Sequence, residues 1–310
     1  MKVATIDIGT NSVLLLIAET LGDHGPTPVH EVSTITRLGQ GVDKDRCLHP
    51  DAVHRTLLCL EDYARRMQEH HVERLDVVTT SAARDAVGVD AFLDAAERVL
   101  GARPRVISGE AEARLTFLGA LSGLSVAGPV AVYDIGGGST EIVFGHVEPG
   151  RAPTVDFATS LDLGCVRLTE RHIRQDPPSR SELDAVRSSV DALLGGLVKS
   201  EGPLTWVGIG GTITTLVAVE LGLAQYDPSK VHGSSLTVEQ VSDLAQRLGA
   251  LPVSERRLVP GLDPKRADVI VTGGCIVQRL LAWSGAHQTC VSDRGVRWGL
   301  AIELGSPTLC

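Results

Sequence analysis

Two short stretches of the sequence combine a carboxylate, one or more glycines and hydroxyl side chains. The first reads DIGTNS, from Asp7 to Ser12, and the second reads DIGGGS, from Asp134 to Ser139. Each follows an apolar run, which predicts a strand that ends in Asp-Ile-Gly and turns back into a second strand. Gly9 and Gly136 can adopt a positive φ there, which a residue with a Cβ resists. The sequence therefore predicts one kind of tight turn in two places.

Turns of this kind expose backbone N–H groups and short hydroxyls, which together bind phosphate oxygens. A single Asp-x-Gly hairpin is usually only turn chemistry, whereas two copies favour a phosphate that is held by both turns. Asp7 and Asp134, at the strand ends, can reach a Mg²⁺ ion on that phosphate, with Mn²⁺ as the alternative metal. The candidate phosphate-binding residues are Gly9, Thr10, Asn11, Ser12, Gly136, Gly137, Gly138, Ser139 and Thr140.

The composition is that of a globular protein, with 310 residues, 43% hydrophobic and 22% charged, which is enough for two domains. A formal net charge of -9 argues against non-specific binding to nucleic acid or to an acidic membrane. The sequence shows no long apolar run and no signal peptide, so we expect a cytoplasmic protein. The six cysteines form no C-x-x-C pair and are expected to be reduced thiols.

The order of predicted elements is similar in the two halves of the chain. Adjacent strands come first, at 2–8, 12–19 and from 31 onward, and again at 130–135, 140–147 and 154–160. Helices and strands then alternate, with helices predicted at 51–71, 90–101, 181–200, 212–219 and 297–310, and with a strand followed by a helix in the segment 105–123. A strand with a glycine turn is predicted before the helix that ends near Trp283. The pattern predicts an α/β protein with mixed sheets, divided into domains 1–124 and 125–310, with the last helix packing back on the first domain.

Six segments of the sequence, in chain order, carry a resemblance to a known family. They are IDIGTNS (6–12), TTSAARDA (79–86), ISGEAEARLTFLGA (107–120), YDIGGGSTEIV (133–143), LGCVRLTER (163–171) and GIGGTITTL (208–216). The chain resembles the exopolyphosphatase and guanosine pentaphosphate phosphohydrolase (Ppx/GppA) family, within the actin-like, sugar-kinase-like ATPase superfamily. The resemblance implies two ribonuclease-H-like domains, each a mixed five-stranded sheet flanked by helices, with a cleft between them.

The resemblance also implies roles for acidic residues. Glu112 matches the glutamate that acts as general base on the attacking water, although members of the family commonly have two adjacent acids there and Ala111 precedes it here. That difference leaves Glu110 as the alternative base. Taken by themselves, both glutamates would also suit the first turn of a helix capped by Ser108. Glu141 would face solvent on an ordinary strand, and the resemblance places it near the metal.

Arginines and later glycines complete the candidate set. Arg84 lies in a loop after a strand and matches a phosphate-gripping arginine of the family, and its guanidinium suits phosphate geometry. Weaker candidates are Arg37, Arg167 and Arg266 for further phosphates of the chain. ATP-binding relatives hold adenosine at two glycine-containing segments. The matching positions here are Gly210 and Gly211 and the VTGGC segment at 271–275. His232 is expected to be a buried, hydrogen-bonded histidine.

These features together predict an enzyme that releases the terminal phosphate of inorganic polyphosphate with Mg²⁺ and an activated water. The alternative is a guanosine pentaphosphate (pppGpp) 5'-phosphohydrolase, and a second alternative is an actin-like or sugar-kinase-like ATP-binding protein. We expect a homodimer that binds neither nucleic acid nor a membrane. We also expect the short form of the family, without the C-terminal helical domain of its long members, and a preference for shorter chains or slower processive action.

Overall fold

The structure is a computed structural model, and it describes residues 1–21, 24–40, 42, 46–197 and 202–305. The chain divides into two compact units: the first comprises Met1–Ser122 and the chain from Gly295 onward, and the second comprises Gly123–Arg294. Across the described residues, no helix is both long enough and apolar enough to cross a bilayer.

The secondary structure follows the predicted order in most places. The strands are β1 (Lys2–Ile8), β2 (Ser12–Leu21), β3 (His24–Ile35), β4 (Arg74–Thr79), β5 (Arg105–Val106), β6 (Gly128–Ile135), β7 (Thr140–Val147), β8 (Thr154–Leu161), β9 (Thr205–Ile209), β10 (Ser235–Thr237) and β11 (Gln288–Val291). The helices are α1 (Pro50–Glu69), α2 (Ser81–Asp85), α3 (Asp90–Leu100), α4 (Gly109–Leu121), α5 (Cys165–His172), α6 (Arg180–Leu194), α7 (Gly210–Glu220), α8 (Pro228–Val231), α9 (Val238–Gly249), α10 (Val253–Arg256), α11 (Ile270–Ser284) and α12 (Val296–Gly305), with a 3-10 turn at Pro264–Arg266.

The first unit is a five-stranded mixed sheet with helices on both faces. Its strand order is β3-β2-β1-β4-β5, in which β1 pairs antiparallel with β2 and parallel with β4. The alternation of side chains along β1 explains the two layers. Ile6 and Ile8 pack in the same core as Leu60 and Tyr63 of α1, whereas Val3 packs against Trp298 of α12. Both faces of the central strand are therefore covered.

Helices α4 and α12 of the first unit cross with their backbones in contact. A Cβ on Gly119 would overlap the carbonyl oxygen of Gly295, and a Cβ on Gly299 would overlap the carbonyl oxygen of Leu115. Only glycine at these positions permits so close an approach. The crossing fixes α4, the helix that carries Glu112, against the sheet of its own unit.

The second unit repeats this topology and adds one strand. Its order is β10-β11-β9-β6-β7-β8, with β6 antiparallel to β7 and parallel to β9. The prediction of an α/β fold with two mixed sheets flanked by helices is confirmed. The predicted five strands for this unit are wrong, because β10 pairs antiparallel with β11 as a sixth strand. Three residues are too few to show an alternating pattern in the sequence.

The segment 267–283 also differs from its prediction. It contains no strand or glycine turn, since α11 runs without a break from Ile270 to Ser284. Gly273 and Gly274 are buried inside that helix, where a Cβ would lie 2.6 Å from Cγ2 of Thr212 and 3.2 Å from Cβ of Ala245, respectively. These glycines allow close packing of α11 on α7 and α9, and the VTGGC segment is no ligand-binding turn.

Smaller differences concern the ends of elements. The predicted helix 181–200 is observed as α6, which ends at Leu194, and residues 198–200 of that prediction lie outside the described residues. Residues 306–310 of the predicted last helix also lie outside them. The loop expected to carry Arg84 is the short helix α2.

The backbone contact between α4 and α12 generates a prediction about stability. Gly299→Ala should lower the free energy of unfolding by about 1–3 kcal/mol, because its methyl group must push two backbones apart. Gly109→Ala in α4 is the matched control, since a Cβ there has nothing within 4 Å and alanine is the better helix former. Urea unfolding of both variants measures the difference, and an equal midpoint for the two would contradict the close crossing.

Candidate functional site

The two Asp-Ile-Gly turns close in the same way. The N–H of Gly9 donates to the carbonyl of Ser12 at 3.0 Å, and the N–H of Gly136 donates to the carbonyl of Ser139 at 2.9 Å. The expected positive φ is wrong for both glycines, since neither belongs to the residues with that conformation. Space explains their identity instead. A Cβ would lie 3.1 Å and 3.3 Å, respectively, from the serine carbonyl oxygen that closes each turn.

The carbonyl groups of the second turn are held by the start of α5. The first three backbone N–H groups of α5 donate to the carbonyls of Gly136 and Gly137, each at 3.0 Å, and Nε of Arg167 donates to the carbonyl of Gly138 at 2.7 Å. In a trans peptide the N–H of the next residue points away from the carbonyl. Fixing these three carbonyls therefore turns the N–H groups of Gly137, Gly138 and Ser139 away from α5.

Those N–H groups form the candidate phosphate cradle, which comprises residues 137–139. Among the described residues, none of the three N–H groups donates a backbone hydrogen bond. Successive N–H groups in a turn that have no protein partner and point the same way form a concavity that binds anions. This arrangement suits the three terminal oxygens of a phosphoryl group better than a neutral ligand.

Gly164, which the sequence analysis did not select, makes the contact with α5 possible. A Cβ on Gly164 would overlap the carbonyl of Gly137. The hydroxyl of Thr140, predicted to bind phosphate, is buried and donates to the carbonyl of Leu163 at 2.6 Å. That hydroxyl therefore positions the segment before α5, and phosphate binding by Thr140 stays a prediction.

The first turn is held in the same manner by the segment after β3. The N–H of Gly39 donates to the carbonyl of Thr10 at 2.9 Å, and the N–H of Arg37 donates to the carbonyl of Asn11 at 2.9 Å. A Cβ on Gly39 would overlap the side chain of Thr10. Arg37 has a φ of 54°, a conformation that costs energy in a residue with a side chain. The hydrogen bonds that hold the turn therefore compensate for the unfavourable backbone conformation of Arg37.

The sequence contains a signal for the two segments that hold the turns by hydrogen bonds. The pair Leu-Gly occurs shortly after β3, as Leu38-Gly39, and shortly after β8, as Leu163-Gly164. Both leucines are fully buried. The repeated pair, read together with the repeated Asp-Ile-Gly, would have identified both segments.

Two carboxylates and a serine lie beside the second turn in a row across three strands. Asp134 on β6 is opposite Glu141 on β7, and Glu141 is opposite Ser160 on β8. Side chains that are directly opposite in an antiparallel pair share a face of the sheet. The hydroxyls of Ser139 and Ser160 donate to Oε1 of Glu141 at 2.5 Å and 2.9 Å. The structure thus brings two predicted metal ligands to one place.

The start of α7 borders the same turn. Gly210 has a φ of +79°, and a Cβ on it would overlap the carboxylate of Asp134. The N-terminus of a helix favours a negative charge, which suits this carboxylate. A Cβ on Gly211 would overlap the guanidinium of Arg266. Both glycines therefore make room for charged side chains of the site.

Cys165, the first residue of α5, is a buried neighbour of this region. Burial raises the pKa of its thiol, against the opposite effect of the nearby Arg266 charge. The thiol is therefore neutral near pH 7, and Cys165 is a packing residue at the base of the turn. His232 also fits its prediction, because its ring is largely buried and contacts the hydroxyl of Ser292 at 3.2 Å.

Glu112 and Arg84 meet in the first unit. An Nη atom of Arg84 lies 3.2 Å from Oε2 of Glu112 and donates to the carbonyl of Ile107 at 3.0 Å. Ser108 caps α4, as predicted, by accepting from the N–H of Ala111. Glu112 is half-buried, whereas Glu110 is exposed. The carboxylate of Glu112 is thus held in place by an ion pair, whereas the side chain of Glu110 extends into solvent.

The residues around the second turn fit a divalent cation. Among the described residues, no group of three or more His, Cys, Asp or Glu side chains could hold a metal by itself. Mg²⁺ commonly takes only one or two carboxylates and completes its shell with waters and substrate phosphates. The opposed pair Asp134 and Glu141 supplies that donor set beside the cradle. Asp7, the corresponding aspartate of the first unit, is buried at the end of β1.

Comparison with known proteins gives consistent results. A model of the Ppx/GppA phosphatase family matches residues 16–305. Exopolyphosphatase 2 of Mycobacterium tuberculosis is 40% identical, with 98% of each chain covered. A guanosine-5'-triphosphate,3'-diphosphate pyrophosphatase of Vibrio atlanticus is 29% identical, over 97% of this chain and 59% of that protein. The crystal structure of the Ppx/GppA family member from Aquifex aeolicus superposes with a TM-score of 0.85 and 36% identity, covering 98% of this chain and 97% of that chain. The chain therefore belongs to the Ppx/GppA phosphatase family.

Proposed function

We propose that this protein is an exopolyphosphatase, which hydrolyses the terminal phosphoanhydride bond of inorganic polyphosphate. The observation that carries the proposal is the cradle at residues 137–139, whose N–H groups are turned outward by the hydrogen bonds to α5. The similarity to an exopolyphosphatase over 98% of each chain supports it. The alternative, hydrolysis of pppGpp, rests on relatives of lower identity, and this chain spans only 59% of the length of one of them.

Binding of the terminal phosphate is the first part of the proposed reaction. The cradle N–H groups donate to oxygens of the terminal phosphoryl group, and the turn at residues 9–12 supplies further donors. Arg266 and Arg167 provide positive charge for the phosphates that follow. These donors are fixed before substrate arrives, so they stabilise the charge of the transition state without reorganisation.

Water activation is the second part. Glu112 accepts a proton from the water that attacks the terminal phosphorus, and Arg84 holds the carboxylate in orientation through their ion pair. The bond between the phosphorus and the bridging oxygen breaks, and the products are orthophosphate and a polyphosphate shorter by one unit. Phosphoryl transfer needs positioning and charge stabilisation more than covalent catalysis.

The divalent cation, Mg²⁺ or Mn²⁺, would be held by Asp134 and Glu141. Asp7 is a third candidate ligand. When bound, the ion supplies positive charge to the phosphate oxygens. The homodimer and the cytoplasmic location stay predictions.

Two observations count against the ATP-binding alternative. The VTGGC segment is the interior of α11 and is closed by packing against α7 and α9. The guanidinium of Arg266 lies across Gly211 at the start of α7, where the adenosine of an ATP-binding relative was expected. A cation at this position favours a polyanion over a neutral nucleoside.

The substrate is tested by phosphate release from polyphosphate, pppGpp and ATP side by side, with and without Mg²⁺. We expect polyphosphate to be hydrolysed with the highest kcat/KM, in a Mg²⁺-dependent reaction. A higher kcat/KM for pppGpp would establish the alternative, and equal rates on ATP would contradict both.

The role of Glu112 is tested by a matched pair of variants. Glu112→Gln should lower kcat by about 100-fold or more with little change in polyphosphate binding, because general-base catalysis contributes roughly 10²–10⁴-fold. Glu110→Gln is the control and should retain nearly the wild-type rate, since its side chain is exposed. The reverse result would move the role to Glu110.

The cradle is tested by Gly137→Ala, which adds one methyl group and no charge. A Cβ there would lie 3.3 Å from Cγ2 of Val166, so Val166 must move slightly, and the φ of Gly137 is an ordinary one. The variant should therefore keep most of its stability without ligand. It should lose the rise in Tm that polyphosphate gives the wild type, because the methyl group blocks the approach of phosphate.

The double variant Gly137→Ala with Val166→Ala separates ligand exclusion from local crowding. It relieves the contact with Val166 and leaves the methyl group in the cradle. We expect it to remain insensitive to polyphosphate. Recovery of the wild-type Tm rise would show that crowding alone caused the loss, and would remove the cradle from the proposed site.

A further inference from the structure

Ser160 lies outside every motif of the sequence and contacts a predicted metal ligand. It is exposed on β8, the edge strand of the second sheet, directly opposite Glu141. Its hydroxyl donates to Oε1 of Glu141 at 2.9 Å. An exposed serine otherwise rotates freely among its rotamers, so this hydrogen bond is a specific contact.

The same carboxylate oxygen receives a second hydroxyl. Ser139, two residues before Glu141 in the chain, donates to Oε1 of Glu141 at 2.5 Å. A serine hydroxyl has one hydrogen to donate, and here both hydrogens are directed at a single oxygen. Oε1 thereby accepts two hydrogen bonds, which together restrict the rotation of the carboxylate.

The second oxygen of Glu141 has a different environment. Among the described residues, no hydrogen bond or ion pair is made by Oε2. Asp134 is the residue opposite Glu141 on the neighbouring strand, so both carboxylates belong to one row on one face of the sheet. The two serine hydroxyls thus leave Oε2 as the oxygen available to a cation beside Asp134.

We propose that Ser160 is a positioning residue, which together with Ser139 orients the carboxylate of Glu141 so that Oε2 binds the divalent cation. The proposal rests on the proposed function, in which Asp134 and Glu141 hold the metal. Ser160 acts only through Glu141 and does not contact the substrate. Ser139 also links the orientation of Glu141 to the turn that carries the cradle.

The expected effect concerns metal affinity. Removal of a group that orients a metal ligand typically lowers affinity 10- to 100-fold. Because Ser139 remains in place, Ser160→Ala should weaken Mn²⁺ binding by about 10-fold, the lower end of that range. The kcat at saturating metal should change little, whereas the concentration of Mg²⁺ needed for half-maximal activity should rise by a similar factor. Ser160→Thr keeps the hydroxyl and should restore both values.

The experiment measures free Mn²⁺ by electron paramagnetic resonance while the whole protein is titrated in the presence of imidodiphosphate. Thr154→Ala is the control, as it removes an exposed hydroxyl from the same strand without touching a carboxylate. An unchanged Mn²⁺ affinity in Ser160→Ala would overturn the proposal, and so would an equal loss in Thr154→Ala. Mn²⁺ affinity is measured without turnover, so this test does not depend on hydrolysis. If the wild type failed to hydrolyse polyphosphate but Ser160→Ala still bound Mn²⁺ more weakly than the wild type, only the proposed reaction would be contradicted.

A double-mutant cycle tests whether Ser160 acts through Glu141. Glu141→Gln should weaken Mn²⁺ binding by itself, and adding Ser160→Ala to it should cause no further loss, since the partner of the serine is already impaired. Independent losses that multiply would show that Ser160 has another role, and would overturn the proposal.

Discussion

The backbone hydrogen bonds between the second turn and the start of α5 are the interaction on which the candidate site depends. A helix begins with N–H groups that have no partner inside the helix, and here they bind the carbonyls of Gly136 and Gly137. The peptide planes are fixed as a result, and the opposite edges of those planes present N–H groups outward. One set of bonds therefore satisfies the helix and creates an anion-binding turn.

Close approach is the condition for this arrangement, and glycine provides it. Gly164 lets α5 reach the turn, and Gly39 lets the segment after β3 reach the turn of the first unit. The same device thus occurs twice, although the fastening differs in detail: the second turn is held by a helix and the first by an irregular segment with Arg37 at a positive φ. The duplicated topology of the sheets places each turn at the end of the first strand of its unit, β1 or β6.

The acidic groups are positioned by other parts of the fold. Glu112 owes its place to α4, which is fixed by the backbone contact with α12 and by the Ser108 cap. Glu141 owes its orientation to hydroxyls from the turn and from the edge strand. Asp134 lies against a glycine at the start of α7. Close backbone packing, side-chain hydrogen bonds and one ion pair thus each contribute to the placement of these carboxylates.

The sequence by itself determined the fold class, the repeated turns and most of the candidate residues, because these depend on local patterns. An apolar run followed by Asp-Ile-Gly predicts a strand and a turn, and the family motifs lie in order from residue 6 to residue 216. Three features could be recognised only in the tertiary structure: the buried role of the Thr140 hydroxyl, the helical setting of Gly273 and Gly274, and the contact of Ser160 with Glu141. In each of them a residue's role is set by a neighbour distant in sequence. Periodicity reports which face a residue occupies, but the partner it meets there is decided by how strands and helices pack.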